Sequence, residues 1–205
     1  MHIYAFGSIC RGEIDIDSDI DLLAIIDGYD HRFDSDIYSI YSYTRIAELW
    51  KEGNPFAWHL ATESRMIYAS DGINFIEKLG LPSKYRRWRE DCQKFFNLYC
   101  KAVDSIQSDG NSIVFEMSTI FLALRNFATC FLLGKSQVKN FSRHSASQMG
   151  KYSINLSEHA YDLLKRSRLL SIRGMGKMIQ REELESSIEE IKSIKTWMEN
   201  LLIEE

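Results

Sequence analysis

The chain has 205 residues, of which 45% are hydrophobic, 12% aromatic and 26% charged, and this composition excludes a wholly disordered chain. The counts of 11 Gly, 2 Pro and 4 Cys also exclude collagen-like and disulfide-scaffold classes. The net charge of −4 averages two unequal parts, because residues 1–80 carry 6 Lys and Arg against 14 Asp and Glu, whereas residues 81–205 carry 19 against 15. An acidic first part therefore precedes a basic remainder.

No targeting or membrane segment is predicted. The first residues show neither a basic region nor an apolar stretch of signal-peptide length, and the most apolar stretch, 113–133, is interrupted by Glu116, Arg125 and Asn126, which indicates a buried helix. The four cysteines include no C-x-x-C pair and are expected to be reduced thiols in or near the core. We therefore expect a cytoplasmic protein that does not contact a membrane.

The first elements in chain order are two strands. Residues 2–6 are rich in β-forming side chains and predict a strand that ends at Gly7-Ser8. Residues 19–26 begin by alternating and end as a continuous apolar run, which is typical of a strand that enters from solvent and becomes buried on both faces.

A helix and a second group of short elements follow. Ser35 or Asp36 can cap a helix that runs through Lys51, because apolar residues recur there at spacings of three and four. The segment Gly53-Asn54-Pro55 ends this helix. Three short elements are predicted after it: a third strand at 56–62, a fourth at 66–69 and a helix at 75–79.

From Pro82 onward the apolar residues follow the helical period of 3.6. Four helices are predicted: 82–109, 112–133, 157–171 and 181–202. The fold class is therefore α+β, with a small mixed β-sheet domain at residues 1–80 followed by a helical-bundle domain at residues 81–205.

The most informative motif is Gly7-Ser8, followed after ten residues by Asp19-Ile20-Asp21. Side chains two apart on a strand point to the same face, so Asp19 and Asp21 present two carboxylates side by side while Ile20 faces the core. Two such charges repel unless a cation lies between them, and hard divalent cations prefer carboxylate oxygen. Gly7 lets the backbone approach a ligand closely, and Ser8 offers a hydroxyl and an amide to a phosphate oxygen. The pattern predicts a magnesium–triphosphate site at the end of a small sheet.

Acidic residues alternate with other residues along the whole segment before this strand: Glu13, Asp15, Asp17, Asp19 and Asp21. The apolar run begins directly after Asp21, which anchors Asp19 and Asp21 to the strand, whereas Asp15 and Asp17 are expected in a solvated acidic connection. The structural alternative for the pair is an exposed edge strand whose charges prevent aggregation, but this alternative does not explain the preceding Gly-Ser.

These residues resemble the signature of the polymerase β-type nucleotidyltransferase superfamily, in which Gly-Ser precedes Asp-x-Asp. The flanking Arg11-Gly12 and the run Asp-Ser-Asp-Ile-Asp-Leu at 17–22 strengthen the resemblance, which is greatest to minimal bacterial nucleotidyltransferases. It is specific over residues 3–26, extends by order of elements to about residue 80, and covers the helical part only as a general type.

The resemblance implies transfer of a nucleoside monophosphate from an NTP to an acceptor, with release of pyrophosphate. It implies that Asp19 and Asp21 hold two magnesium ions that clamp the attacking and leaving oxygens. Gly7, Ser8 and Arg11 are the nucleotide-binding candidates of the same motif.

The sequence departs from the family at the third acidic residue, which active members commonly add from a later strand. The corresponding strand is predicted at 56–62, where the central polar residue is His59 and the nearest acid is Glu63, at the strand's end. Imidazole suits general-base work near neutral pH, so His59 and Glu63 are both candidates for this role. The alternative for His59 is a partly buried histidine bonded to the backbone. The family also usually places a helix before the Gly-Ser strand, so that helix is either absent or trimmed from this chain.

Two arginines of the basic part, Arg143 and Arg173, are candidates for neutralising the triphosphate. The first follows Phe141-Ser142, and the second precedes Gly174-Met175-Gly176, where a helix end is expected to place Arg173 at a cleft with free backbone amides. The alternative is that both lie on solvated faces or interact with a helix dipole.

The leading functional hypothesis is a magnesium-dependent nucleotidyltransferase that uses an NTP, with ATP expected. Three acceptors compete: a protein side chain, a small molecule such as an antibiotic, and an RNA end. A hypothesis from another class is a catalytically silent module that binds a nucleotide or a protein partner. A homodimer is a further open alternative.

Overall fold

A computed structural model of the protein describes residues 1–13, 20–108 and 112–204. The chain divides into two compact units, Met1–Arg86 and Arg87–Glu205. The first unit contains a small sheet with helices and the second is helical, so the predicted α+β class is confirmed.

The first unit is built on a four-stranded mixed sheet. Its strands are β1 (His2–Phe6), β2 (Asp21–Ile25), β3 (Tyr38–Tyr41) and β4 (Ser64–Ala69), in the order β3-β2-β1-β4. The central strand β1 is antiparallel to both of its neighbours, whereas β2 and β3 are parallel. This arrangement places the residues that follow β1 beside the residues that begin β2.

The helices of this unit are α1 (Tyr43–Glu52), α2 (Pro55–Glu63) and α3 (Phe75–Leu79). The Ser42 side chain caps α1 by accepting a hydrogen bond from the Arg45 amide. The predicted helix from Ser35 or Asp36 is therefore wrong in its first part, which forms β3 instead. The β-branched and aromatic side chains of the segment Tyr-Ser-Ile-Tyr suit a strand.

The predicted third strand at 56–62 is wrong, because these residues belong to helix α2. Asn54 accepts a hydrogen bond from the Phe56 amide and Pro55 occupies the first helical position, which together are a strong helix start. Ala57 and Leu60 face the core at a helical spacing of three. A short apolar run does not by itself distinguish a buried strand from a buried helix.

The main core of the unit lies on one face of the sheet. Tyr4 and Phe6 of β1 pack there with Leu23 and Ile25 of β2 and with apolar residues of α1, α2 and α3. The opposite face bears a smaller cluster, and Ile20, which the alternation predicted to face the core, is 60% exposed. The helices therefore cover the face that also bears Asp21, because Asp21, Leu23 and Ile25 alternate along one strand.

The second unit contains α4 (Trp88–Gln107), α5 (Ile113–Phe131), α6 (Glu158–Arg173) and α7 (Arg181–Leu202), and α5 continues into a π-helical turn at Leu132–Ser136. Helix α5 packs against the other three helices. The first helix begins at Trp88 and not at the predicted Pro82. In the first unit, the Ser83 amide donates to the Trp50 carbonyl and the Ser83 carbonyl accepts from the Trp58 indole, so these tertiary hydrogen bonds hold the preceding segment extended.

Helix α5 with its π-helical turn, Ile113–Ser136, is the one helix in the described part of the chain that is long and apolar enough to cross a membrane by length and composition. Its mean hydropathy is 1.4, but 72% of its most apolar stretch is buried inside the protein. A central core helix has the same properties, and this agrees with the buried helix predicted there.

Candidate functional site

The turn that follows β1 is a tight 3-10 turn at Gly7–Arg11. Gly7 is buried and has a φ of +80°, and Gly12 ends the turn with a φ of +75°. The Glu13 amide donates to the Ser8 carbonyl at 3.1 Å, and the Gly12 amide donates to the Ile9 carbonyl at 3.2 Å. These two hydrogen bonds fix the backbone around Ser8, whose side chain is half-buried.

Asp21 lies directly beside this turn. It is the first residue of β2, it is exposed, and its cross-strand partner is Phe6, the last residue of β1. A Cβ atom at Gly7 would collide with Oδ2 of Asp21. The structure therefore brings Gly7 and Asp21 together, and only glycine allows the carboxylate to lie this close to the turn.

Asp15, Asp17 and Asp19 lie outside the described residues, so the predicted pair of Asp19 and Asp21 is described only for its second member. Among residues 1–13, 20–108 and 112–204 no group of three or more His, Cys, Asp and Glu side chains could hold a metal ion. The part of the site that is described fits magnesium: a solvent-exposed carboxylate is the oxygen ligand that this ion prefers, and magnesium usually keeps several waters.

His59 and Glu63 face each other one turn apart on α2. His59 Nε2 lies 2.9 Å from Glu63 Oε2, and the two side chains are 13% and 12% exposed. Spacing of four residues places side chains on the same face of a helix, so this contact follows from the helical conformation and would not form on a strand. The two candidates for the third acidic residue are therefore in direct contact with each other.

Arg11, the last residue of the turn, extends this pair into a chain of three side chains. Its guanidinium donates a hydrogen bond and forms an ion pair with Glu63, and it also donates to Glu13 at 3.0 Å. Burial raises the pKa of Glu63, but the neighbouring His59 and Arg11 together outweigh it and hold the pKa below its usual value. Glu63 is therefore an ionised carboxylate near neutral pH.

Phe6 connects the row of side chains formed by His59, Glu63 and Arg11 to Asp21. Its ring contacts the His59 ring edge to face, with the centroids 5.6 Å apart, and its backbone pairs with Asp21. Helix α2 also packs against the Gly7–Arg11 turn. The structure thus gathers the Gly-Ser turn, Asp21 and the His59–Glu63 pair at one end of the sheet.

The strand parallel to β2 is β3, and its residues Tyr-Ser-Ile-Tyr include no acid. Sequence reasoning missed this strand because it assigned residues 38–41 to a helix. The signal that would have corrected the separate assignment of residues 56–62 is Asn54-Pro55, since a helix that starts there places His59 and Glu63 four apart on a helix face.

The two arginines predicted from the helical part lie at opposite ends of α6. The Arg143 carbonyl accepts a hydrogen bond at 2.9 Å from the hydroxyl of Tyr161, in the first turn of this helix, whereas Arg173 is its last residue. A rise of 1.5 Å per residue separates these ends by about 18 Å. The structure does not bring the two arginines together, and the role of each as a phosphate contact stays a prediction.

A mixed sheet with a Gly-Ser turn set against an acidic residue at the start of the next strand agrees with the nucleotidyltransferase resemblance of the motif. Residues 2–95 match the family model described as nucleotidyltransferase domain, in agreement with the polymerase β-type superfamily predicted from the motif. Residues 2–95 therefore carry a nucleotidyltransferase domain, which supports a transferase enzyme. No curated protein matches the sequence significantly.

Proposed function

We propose that this nucleotidyltransferase is magnesium-dependent and moves a nucleoside monophosphate from an NTP, with ATP expected, to an acceptor hydroxyl on a protein, a small molecule or an RNA end. Pyrophosphate is the second product. The observation that supports this most directly is the Asp21 carboxylate seated against the Gly7 turn, because it sets a metal ligand beside a phosphate-binding backbone.

Asp21, together with Asp19, would hold the magnesium ions, which supply charge neutralisation at the attacking and leaving oxygens. The Ser8 hydroxyl and amide would donate hydrogen bonds to the β- and γ-phosphate oxygens that leave as pyrophosphate. Gly7 keeps the backbone free of a side chain at the point of closest approach. The residues therefore act by positioning the reactants and by stabilising charge.

The proton of the attacking hydroxyl would be taken by His59. Glu63 faces Nε2 of this histidine at 2.9 Å, so an ionised Glu63 accepts a proton held on Nε2 and leaves the lone pair on Nδ1. In the catalytic triads of serine hydrolases, a carboxylate orients the imidazole in the same way. Glu63 itself is the second candidate for the base, but it already accepts a hydrogen bond from Arg11 and lies against His59.

The test is transfer of an α-labelled NTP in the presence of magnesium to a lysate fractionated into proteins, RNA and small molecules. We expect Asp21→Asn to lower label transfer by about 100-fold or more, because the amide cannot replace a charged metal ligand. Asp27→Asn is the matched control, since Asp27 is an exposed carboxylate at the other end of β2, and it should transfer label as the wild type does.

The fraction that gains label identifies the acceptor class. Each of the four α-labelled nucleotides is tested separately, so the same experiment identifies the base of the NTP. Transfer that is undiminished in Asp21→Asn, or that persists when magnesium is chelated, would contradict the proposal.

A further inference from the structure

We propose that Arg11 is a positioning residue, which fixes Glu63 and through it His59, and that it does not bind the triphosphate. The inference rests on the proposed function of the same site and assigns a role that the Gly-Ser motif does not itself specify. It starts from the contacts of the guanidinium group.

The donors of Arg11 are already used by two carboxylates. Nε and one terminal nitrogen lie 3.0 Å from Glu13 Oε2, and the other terminal nitrogen pairs with Glu63 Oε2. The side chain is only 18% exposed. Guanidinium has a fixed fork of donors, so a phosphate oxygen could gain strong hydrogen bonds from Arg11 only by displacing a carboxylate.

The charge balance of this cluster also disfavours a phosphate. One guanidinium lies between two carboxylates, which leaves a net negative charge beside Glu63. A triphosphate that drew Arg11 away would leave the Glu63 carboxylate, itself only 12% exposed, without its arginine partner. Breaking a partly buried ion pair in this way raises the free energy of the protein, because the charge that remains is desolvated and has lost its partner.

The position of Arg11 in the chain allows it to connect the turn to α2. It is the last residue of the Gly7–Arg11 turn, while Glu63 is the last residue of α2. Glu63 Oε2 accepts from Arg11 and lies 2.9 Å from His59 Nε2. By holding Glu63 in place, Arg11 sets the carboxylate against Nε2 and thereby favours the His59 tautomer that carries its proton there.

The experiment compares Arg11→Gln, Arg11→Lys, Glu63→Gln and the double variant Arg11→Gln/Glu63→Gln with the wild type. Arg32→Gln is the control, because Arg32 is an exposed arginine of the same unit whose guanidinium pairs with a carboxylate, that of Asp30. Three quantities are measured: turnover at saturating NTP, the Kd for a non-hydrolysable NTP analogue with magnesium, and the ¹⁵N shifts of His59, which report its tautomer.

We expect Arg11→Gln and Glu63→Gln to lower turnover by about 100-fold, the lower end of what loss of positioned proton transfer costs, while the analogue Kd changes by less than about threefold. The double variant should be no slower than the slower single variant, because both substitutions break one chain of contacts. Arg11→Lys should recover part of the turnover. The ¹⁵N shifts of His59 should move from the Nε2–H form towards a mixture in both Gln variants.

A rise of tenfold or more in the analogue Kd of Arg11→Gln, with turnover at saturation kept, would show that Arg11 binds phosphate and would overturn the inference. Unchanged His59 shifts in Arg11→Gln would overturn it as well. If the wild type transfers no nucleotide, the proposed function fails, whereas the analogue Kd and the His59 shifts still decide the role of Arg11. Arg11→Lys provides the same readouts if Arg11→Gln does not fold.

Discussion

Gly7 and Gly12 flank the same turn and have similar backbone conformations, with φ of +80° and +75°, but their surroundings differ. A Cβ at Gly7 would collide with the Asp21 carboxylate, whereas a Cβ at Gly12 would have no heavy atom within 4 Å. Gly12 is therefore required by backbone conformation alone. Gly7 is required both by conformation and by the space that Asp21 occupies.

This difference predicts separate effects on stability and on ligand binding. Both Gly7→Ala and Gly12→Ala should lose about 1 kcal/mol of folding free energy, because alanine is strained at positive φ. Only Gly7→Ala should also displace Asp21 and weaken binding of the magnesium–NTP analogue, by tenfold or more. Urea unfolding and analogue titration measure the two effects, and equal losses of binding in both variants would contradict this account of Gly7.

Among the helices of the second unit, Glu183 connects the first turn of α7 to the middle of α6. It lies in the first turn of α7, accepts a hydrogen bond from the Gln180 amide at 2.9 Å, and pairs with Arg166 of α6 at 2.9 Å. The amide of Gln180 and the charge of Arg166 lower the pKa of Glu183 to about 2. The carboxylate therefore stabilises the fold in its ionised form.

The pH dependence of this contribution follows from the sign of the shift. Because the pKa in the folded protein lies below the value of about 4.5 expected for the unfolded chain, the stabilisation is complete above pH 4.5 and is lost as the pH falls towards 2. We expect Glu183→Gln to lower the thermal midpoint at pH 7, and the difference from the wild type to shrink by pH 3. Glu185→Gln is the control, since Glu185 is 64% exposed and should change the midpoint little. A difference that is the same at pH 7 and pH 3 would exclude this role.

At the scale of the whole molecule, each compact unit has buried side chains of its own, and those of the second unit gather around α5. Phe127 and Phe131 are fully buried, and Trp88 contacts the Phe131 ring edge to face with centroids 5.6 Å apart. In the π-helical turn after α5, a Cβ at Gly134 would collide with the Trp88 side chain. The turn thus lets the first residue of α4 pack directly on the backbone.

Replacing Gly134 therefore reverses the usual effect of alanine in a helix. Alanine normally stabilises a helical position by about 1 kcal/mol relative to glycine, but overpacking against Trp88 should make Gly134→Ala destabilising by about 1–3 kcal/mol. Trp88→Leu should remove most of this penalty in a double-mutant cycle. Urea unfolding measures both, and a more stable Gly134→Ala variant would show that Trp88 does not fill this space.

Elements with strong local signals could be predicted from the sequence. The first strand, the short helix at 75–79 and the last helix at 181–202 agree with β1, α3 and α7, because their periodicity and end signals are contained within each segment. The site motif is equally local, since a Gly-Ser turn and an acid at the start of the next strand need only an antiparallel pair to bring them together. The sequence by itself therefore determined the α+β class, the nucleotidyltransferase resemblance and the proximity of Gly7 and Asp21.

The tertiary structure decided what short segments become and which side chains they bring to the site. Residues 38–41 and 56–62 are too short for their periodicity to distinguish strand from helix. Residues 38–41 form a strand because they pair with β2, and residues 56–62 form a helix because Asn54-Pro55 starts one. Once 56–62 is a helix, His59 and Glu63 face each other and Arg11 reaches them from 52 residues away in the chain. Such a contact depends on how α2 packs against the turn, because burial of the apolar face of α2, and not any local signal, places Glu63 within reach of the guanidinium group.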